Sequence, residues 1–550
     1  MNLTVCDWVG HFSIVKRVLF RLTKTILIWR DENAMFDRKR WTALGIAGAS
    51  FVLTYVLMLA ISRASTEPGV SRATPPLSTR VFLPVVYRQK PPVECSYFVS
   101  AGRGSDSNAG SYDRPWKSIQ YALESVPSDG GFTICVDDGS YPEQIDLGRR
   151  DGFTNPVRVE ALHPYEVRLN NRDKIIIRLN GDSVTHTSFN ITFAGFEIYR
   201  PTSNATGSSN VYLYKADNVT IENCIIHDSY DDDLVRILHS TNVTMQLNLT
   251  YNTGSGEEHY DINGGSRNVV VQDNVLFNAY PETGRPDDTS GAQITVKTSY
   301  PDTDGRTRNV TIRRNVLMHG QSVPTRGFIT IGDDNRYEGY YEAEDVTVEN
   351  NLFLANEGLT EQMIPVTILG SRRIYLRANT FRGDADSSFR LFGRALKESL
   401  NPLCTDLFYY NNVFLDSTNT TGRLIRGTSD DIEYGAIRSN LYWWGGASIP
   451  TNSEDYFNYL DDPQAVVSDP LLNSLAAPLP LPIWRDRMFA GGHGSVFEVH
   501  AAFVEAYARP GDTSPLVDRA DPAHMPVDDI AGKNRDAAPD IGAYEVLTVE

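Results

Sequence analysis

A short phrase of alternating apolar and polar residues recurs through the middle of this chain, and it constrains the fold more than any other feature. The copies run from Asn218 to Cys224, Asn242 to Asn248, Asn268 to Asn274, Asn309 to Asn315 and Asp345 to Asn351, with weaker copies ending at Asn379, Asn412 and Asn440. The alternation has the period of a β-strand. Successive copies end 24, 26, 41, 36, 28, 33 and 28 residues apart. The two shortest spacings approximate one bare coil of a solenoid, and the longer ones add loops.

These repeats predict an all-β fold, a right-handed parallel β-helix. Strands of successive coils would pair in parallel about 4.8 Å apart, and their Val and Ile residues would face one continuous core. The last Asn of each copy recurs at one place in the coil. There it can bond to the Asn of the next coil, so that its buried amide is satisfied. Cys224 occupies the first position of this ladder, where another small group fits.

The N-terminal part of the chain predicts a membrane anchor. Residues 41–62 contain no charged residue and follow Arg38, Lys39 and Arg40. A helix of this length spans a bilayer core of about 30 Å, and the basic flank predicts that residues 1–40 are cytoplasmic. A buried core helix is the alternative for 41–62. Met35 is an alternative start, and cleavage of the segment would give a secreted protein. Residues 63–94 have the Pro, Ser and Thr content of a linker.

Charge and cysteine content narrow the classes of function. The chain has 51 Lys/Arg and 69 Asp/Glu, of which residues 1–63 hold nine and four, so the remainder carries 42 against 65, or −23. This balance argues against a nucleic-acid partner, which requires a basic surface. The five cysteines form no CxxC pair, which disfavours a zinc site. An exported location would allow Cys95 and Cys135 to pair, and we expect a monomer.

The two ends of the repeat region resemble a known superfamily. Tyr97-Phe-Val-Ser-Ala-Gly, followed by Pro115-Trp-Lys-Ser-Ile-Gln-Tyr-Ala-Leu, resembles the N-terminal cap of secreted pectate-lyase-like β-helix proteins. Ser514-Pro-Leu-Val-Asp and Asp540-Ile-Gly-Ala-Tyr-Glu resemble a C-terminal segment of bacterial surface β-helix proteins. The resemblance implies an N-terminal capping helix, a β-helix domain over 95–446 and a C-terminal segment, 447–550, packed on it. One fold hosts many activities, so function must come from a site.

Three neighbouring coils carry an unusual set of charged residues. They are Asp231-Asp232-Asp233, then Glu257-Glu258-His259-Tyr260-Asp261, then Ile294-Thr-Val-Lys297. If Tyr260 and Ile262 face the core, Asp261 faces outward, and the same alternation turns Lys297 outward on the next coil. Adjacent coils would then bring Asp261 and Lys297 within about 5–10 Å of each other.

This set resembles the site of family 9 polysaccharide lyases. The resemblance implies that Asp233, Glu257, Glu258 and Asp261 bind Ca²⁺, with two Glu in place of the family's leading Asp pair. It also implies that Lys297 is the base of a β-elimination on an acidic, uronate-containing polysaccharide. Ca²⁺ takes carboxylate oxygens as ligands, and it acidifies the proton beside a bound uronate carboxylate. A nearby arginine, Arg313 or Arg314, could stabilise the enediolate.

Other functions fit the same residues. Asp333-Asp334-Asn335-Arg336 follows a predicted strand and offers paired carboxylates to a glycoside hydrolase, although no partner carboxylate is evident from the spacing. A non-catalytic surface protein that binds glycan or a neighbouring cell is a third reading. Acidic runs and terminal lysines are also common as solvated surface. The orientation of Lys297 toward or away from the carboxylates distinguishes the lyase from the others.

Overall fold

The structure is a computed structural model, and it describes residues 94–148, 152–183, 188–201, 209–230, 232–254, 256–283, 291–299, 305–319, 327–333, 339–355, 364–383, 391–397, 400–419, 422–476 and 478–547. The predicted cytoplasmic segment, 1–40, and the predicted membrane helix, 41–62, lie outside these residues, as does the predicted linker apart from its last residue. None of the helices within the described ranges combines the length and the apolar character needed to cross a bilayer.

Three long parallel sheets, named A, B and C here, run side by side along the described part of the chain. Sheet A contains β1 (Tyr97–Val99), β2 (Thr133–Val136), β5 (Val157–Ala161), β8 (Ser188–Ala194), β11 (Asp217–Glu222), β14 (Thr241–Gln246), β17 (Arg267–Gln272), β20 (Thr307–Arg313), β23 (Ala343–Glu349), β26 (Arg372–Arg377), β29 (Thr405–Tyr410) and β32 (Gly435–Arg438). Sheet B contains β3 (Gly139–Tyr141), β6 (Val167–Leu169), β9 (Phe196–Tyr199), β12 (Ile225–His227), β15 (Leu249–Tyr251), β18 (Val275–Phe277), β21 (Val316–His319), β24 (Leu352–Ala355), β27 (Thr380–Gly383), β30 (Val413–Asp416), β33 (Leu441–Trp443) and β34 (Val466–Val467). Sheet C contains β4 (Ile145–Asp146), β7 (Ile177–Asn180), β10 (Val211–Tyr214), β13 (Val235–Leu238), β16 (Tyr260–Asn263), β19 (Ile294–Val296), β22 (Ile329–Ile331), β25 (Val366–Leu369), β28 (Leu391–Leu396) and β31 (Arg423–Arg426).

The order of these strands along the chain confirms the predicted fold. Each full coil passes through sheet C, then A, then B, and each strand pairs in parallel with its counterpart one coil away. The three sheets match a right-handed parallel β-helix. The alternating apolar residues of the repeat stack inside it, for example Val219, Val243 and Val269 in register on successive coils of sheet A. All three are buried, so the core is continuous along the solenoid.

Short elements outside the three sheets complete the described structure. They are β35 (Trp484–Arg485) paired antiparallel with β36 (Met488–Phe489), the helices α1 (Ile119–Ser125), α2 (Tyr280–Thr283) and α3 (Val496–Tyr507), and the 3₁₀ turns Gly181–Ser183, Tyr459–Asp461 and Pro522–His524. Helix α1 begins at the N-cap Ser118 and buries Ile119, Ala122 and Leu123 at the start of the solenoid. A disulfide joins Cys95 to Cys135, which ties the chain before β1 to β2.

The asparagine ladder forms as predicted between sheets A and B. The backbone N–H and the side-chain amide of Asn274 both donate to Oδ1 of Asn315, at 3.0 and 2.9 Å. The same pair of hydrogen bonds repeats from coil to coil through Asn351, Asn379, Asn412 and Asn440, and a carboxylate oxygen of Asp462 accepts the last pair. Cys224 donates its backbone N–H to Asn248 at the start of the ladder.

The first residues of the repeats form a second row of side chains, which is exposed except at the half-buried Asp345. Asn218, Asn242, Asn268, Asn309 and Asp345 all have left-handed backbone, with φ between 53° and 56°. Asn and Asp tolerate this conformation better than other non-glycine residues. Asn268 and Asn309 also donate side-chain amides to the Asn of the preceding coil, at 3.0 and 3.3 Å. The repeat therefore encodes a turn at its first residue and a buried hydrogen bond at its last.

The outer face of sheet B is apolar and the segment after β34 covers it. Helix α3 supplies Val496, Val499 and Phe503, which belong to one buried cluster with residues of β18 and β21 such as Phe277 and Met318. The backbone N–H of Val496 also donates to the hydroxyl of Tyr165, 331 positions earlier. Among the described residues, this cluster contains none from sheet C.

Candidate functional site

The predicted charged residues meet on the outer face of sheet C. Arg236, Asp261 and Thr295 lie directly opposite one another on β13, β16 and β19. Tyr260 and Ile262 point into the core and are fully buried, which turns Asp261 outward as the alternation predicted. We define the acidic cluster as the five carboxylates Asp232, Asp233, Glu257, Glu258 and Asp261, which lie beside the two cations Arg236 and Lys297.

Asp232 and Asp233 stand in the turn that leads into β13, and both bind Arg236. Nη2 of Arg236 is 2.8 Å from Oδ1 of Asp232, and its Nε is 2.8 Å from Oδ2 of Asp233. Oδ2 of Asp232 accepts from the Ser209 hydroxyl at 3.2 Å, and Oδ1 of Asp233 accepts from the backbone N–H of Glu258 at 2.9 Å. Each of the four oxygens is therefore already engaged.

Lys297 points toward the carboxylates. Its Nζ lies 3.6 Å from Oδ1 of Asp261 and 4.0 Å from Oδ2 of Asp333, and its side chain is 18% exposed. Glu258 is buried beside it and accepts from the Thr295 hydroxyl at 3.2 Å. Lys297 therefore lies beside the carboxylates, as the sequence predicted, and its role as a base stays a prediction.

The cluster holds more negative charge than its two cations balance. Burial raises the pKa of Asp233 well above its ordinary value, and the charges of Asp261 and Glu258 raise it further. Burial also raises the pKa values of Glu257 and Glu258. Burial alone would lower the pKa of Lys297, but Asp261, Glu258 and other carboxylates outweigh it and raise the pKa. This shift favours the ammonium form of Lys297.

The carboxylates that converge differ from the predicted calcium ligands. Among the described residues, ligand atoms of Asp232, Asp233 and Glu257 lie within 4.8 Å of one another. Asp233 and Glu257 were expected there, whereas Glu258 faces Thr295 and Asp261 faces Arg236 and Lys297. Because the guanidinium of Arg236 already binds Asp232 and Asp233, this arrangement does not fit Ca²⁺. Calcium binding stays a prediction from the sequence.

Arg313 and Arg314 belong to another part of the solenoid. They lie at the end of β20 in sheet A, and both form ion pairs with Asp528 of the C-terminal segment. Arg314 also binds Asp273 through two nitrogens at 2.7 Å. Contrary to the sequence-based expectation, neither arginine is in the acidic cluster, and their contacts give them the role of fastening the C-terminal segment to sheet A.

Two residues of the site were not singled out from the sequence. Arg236 alternates with the core residues Val235 and Ile237, so the strand period turns it outward beside the acidic run. Glu342 is buried just before β23, where it accepts from the backbone N–H of Thr298 at 2.9 Å. Burial raises the pKa of Glu342 to about 7, although Lys297 acts in the opposite direction. Asp333, which the sequence offered as one of a pair of carboxylates for a glycoside hydrolase, accepts from the Ser299 hydroxyl at the edge of the same site. Asp334, Asn335 and Arg336 lie outside the described residues.

Comparisons with known proteins return distant structural similarities. No protein-family model matches the chain, and no curated protein matches it in sequence. The chain is similar to XylC in complex with xylose, at 11% identity and a TM-score of 0.44 over 82% of this chain and 98% of that one. It is similar to the A-module of the mannuronan C-5 epimerase AlgE4 of Azotobacter vinelandii, at 14% identity and a TM-score of 0.43 over 68% and 100%. It is also similar to pectate lyase Pel9A, at 14% identity and a TM-score of 0.39 over 82% and 97%. These similarities assign no activity, and the fold assignment rests on the strand pairing.

Proposed function

We propose that this protein acts on a polysaccharide, as a lyase that cleaves an acidic, uronate-containing glycan at the acidic cluster. The observation that carries the proposal is the position of Lys297. Its partly exposed ammonium group lies at the rim of a buried group of carboxylates, on the outer face of the solenoid. A lysine that served only as a solvated surface charge at the end of a strand would extend into water instead.

In the proposed reaction the neutral amine of Lys297 removes the proton on C5 of the uronate. The electron pair forms a C4–C5 double bond, the C4–O bond to the neighbouring sugar breaks, and the leaving oxygen takes a proton from water. Arg236, whose side chain is 30% exposed, provides a guanidinium that can face the substrate carboxylate. Because the surrounding carboxylates raise the pKa of Lys297, we expect the rate to keep increasing with pH into the alkaline range.

The test incubates the purified protein with polygalacturonate and other uronans over a range of pH, with calcium or with a chelator. The unsaturated product is followed by its ultraviolet absorbance. Lys297→Ala should lower the rate by at least about 100-fold, in line with loss of a general base. Lys215→Ala is the matched control, because Lys215 also follows a strand of sheet C and binds a carboxylate, that of Asp182. Absence of product from every uronan, or an unchanged rate in Lys297→Ala, would sink the proposal.

A second candidate is glycan binding without chemistry. It is favoured by the ion pairs of Lys297 and Arg236, which hold both cations in charged and fixed positions. Saturable binding of a uronan with no change in its chain length would select this function. A glycoside hydrolase would instead release reducing ends without the ultraviolet signal, and Asp333 would be the first carboxylate to replace.

The location of the protein enters this proposal through its N-terminal sequence. The apolar residues 41–62 with their basic flank would anchor the chain in the membrane, or would direct its secretion if they are cleaved. The Cys95–Cys135 disulfide agrees with an oxidising location outside the cytoplasm. We therefore propose that the β-helix works at the cell surface on an external glycan, as a monomer.

A further inference from the structure

We propose that Arg236 is the resident cation of the acidic cluster, so that the site works without a bound divalent metal. The guanidinium would neutralise Asp232 together with Asp233 and Asp261, two of the four carboxylates that the sequence assigned to calcium. The inference rests on the proposed function only for its catalytic consequence. Its physical part, the occupation of the cluster by a side chain, can be tested on the folded protein without any substrate.

The contacts of Arg236 resemble the coordination of an ion more than a surface salt bridge. Its Nη2 and Nε lie 2.8 Å from Asp232 and Asp233, and the same Nε lies 3.5 Å from Oδ2 of Asp261. Three carboxylates from two successive coils therefore surround one guanidinium. The planar fork of arginine suits this arrangement, since it presents several donors in fixed directions.

The backbone fixes both sides of this contact. Arg236 and Asp261 are directly opposite in the parallel pairing of β13 with β16. Asp232 and Asp233 are held from behind, because Ser209 donates to one carboxylate and the backbone of Glu258 donates to the other. Their remaining oxygens therefore face the guanidinium before any ligand arrives, and a metal ion would have to displace it.

Charge explains why the position needs a cation. Asp233 is fully buried and Asp261 nearly so, and isolated buried carboxylates are strongly unfavourable. If Arg236 were removed, the oxygens of Asp232, Asp233 and Asp261 that face it would lose their cation, while Lys297 would remain beside the other oxygen of Asp261. Ca²⁺ accepts several carboxylate oxygens at about 2.3–2.6 Å in flexible geometry, so it is suited to replace the guanidinium.

The variants for the test follow from these contacts. Arg236→Ala empties the position, and Arg236→Lys keeps a cation there. Arg178→Ala is the matched control, because Arg178 lies on the same outward row of sheet C but binds a single carboxylate, that of Asp146 at 3.0 Å. Calcium binding is measured by titration calorimetry, and melting temperature is recorded in calcium and in chelator.

We expect wild type, Arg236→Lys and Arg178→Ala to bind no calcium at the cluster and to melt at the same temperature in both buffers. Arg236→Ala should melt lower in chelator and regain stability in calcium, with one ion bound. The inference would be overturned if the wild type bound one calcium ion and the Asp233→Asn variant did not. It would also be overturned if Arg236→Ala folded but neither bound calcium nor melted at a higher temperature in its presence. If Arg236→Ala does not fold in either buffer, wild type and Arg236→Lys still decide, since calcium binding by either one contradicts the proposal.

The catalytic consequence separates this inference from the proposed function. If the lyase proposal holds, product formation by wild type is unchanged by chelator, and any residual activity of Arg236→Ala becomes dependent on calcium. If neither the wild type nor any variant forms product from any uronan, the lyase proposal fails. The calorimetry still tests whether Arg236 takes the place of a calcium ion in the cluster.

Discussion

The asparagine ladder and the acidic cluster are both stacks of buried polar side chains on successive coils, yet they offset the cost of burying polar groups in opposite ways. From Asn274 to Asn412 each ladder amide donates to the identical residue one coil away, so this part of the stack is neutral and satisfied by repetition, and Asn440 ends it on the carboxylate of Asp462. The cluster places carboxylate beside carboxylate, and among the described residues Arg236 and Lys297 offset the charge. Repetition of a neutral amide strengthens a solenoid, whereas repetition of a charge must be balanced by something else. Polar stacks of the second kind are therefore where a site is expected.

Loss of one rung should give the largest effect. Asn315→Leu removes the oxygen that accepts two bonds from Asn274 and the amide that donates to Val271 and Asn351. Because each buried polar group left without a hydrogen bond costs about 1–3 kcal/mol, we expect the free energy of unfolding to fall by about 4 kcal/mol. Urea denaturation measures it. Asn309→Asp is the control, since Asp345 already occupies that exposed position one coil later, and it should stay within about 0.5 kcal/mol.

His227 offers a third kind of stack, in which one cation lies between two aromatic rings and binds two carboxylates. Its ring lies between Tyr199 and Tyr251 on sheet B, and its nitrogens bind Asp228 and Glu197. Burial alone would lower the pKa of His227, but these carboxylates raise it from 6.5 to about 9. Its stabilisation is complete below pH 6.5 and is lost as pH increases through 9. We expect wild type to lose about 2 kcal/mol more than His227→Gln between pH 7 and 10 in urea denaturation. Parallel pH profiles for the two proteins would contradict this.

Removal of one charge from the acidic cluster should stabilise the protein, the reverse of the ladder result. Burial raises the pKa of Glu258, so its ionised form destabilises the folded state above that pKa. Glu258→Gln keeps the acceptor for Thr295. We expect a gain of about 1 kcal/mol at pH 7 that shrinks as the pH falls and disappears well below the ordinary glutamate pKa of about 4.3, where the wild-type group is protonated in both states. The exposed Asp113→Asn should change the free energy of unfolding by less than about 0.5 kcal/mol at either pH. Destabilisation by Glu258→Gln at pH 7 would show that Lys297 needs that charge.

Extension of the ladder by one rung should give the smallest effect. Cys224 takes the ladder position of its coil, where its sulfur accepts from the backbone N–H of Phe196 at 3.4 Å and lies 4.0 Å from the carbonyl of Phe193. An amide there meets the same donor and acceptor that the other ladder residues use. We expect Cys224→Asn to raise the free energy of unfolding by about 0.5–1 kcal/mol, measured by urea denaturation. A loss of stability would mean that the first coil is too tight for an amide.

The ladder and the outward position of Asp261 could be predicted from the sequence because both follow from local periodicity. A strand period of two assigns each residue to the core or the surface, and the recurrence of Asn marks one turn of the coil. The identity of the partners is a different matter. Arg236 was overlooked beside a run of three aspartates, although the same alternation turns it outward next to them.

Arg313 and Arg314 show where local periodicity fails. The repeat indicates that they end a strand of sheet A, but it does not say which surface the C-terminal segment will cover. That contact joins Arg314 to Asp528 across 214 positions, and no local pattern encodes it. Likewise, the choice of Glu258 as a ligand followed from a motif, whereas the backbone turned its carboxylate to Thr295.

The cover on sheet B has a consequence for how the chain reaches its native state. Coils are built from neighbours in sequence, so they can form one after another as the chain leaves the ribosome. The apolar outer face of sheet B stays uncovered until α3 is synthesised, since the partner of Tyr165 is Val496. In the same way, Arg314 has to form its ion pair with Asp528, which is synthesised later still. Synthesis therefore passes through a long interval in which the apolar outer face of sheet B is uncovered, and a chaperone that binds this face would protect the yield of the protein.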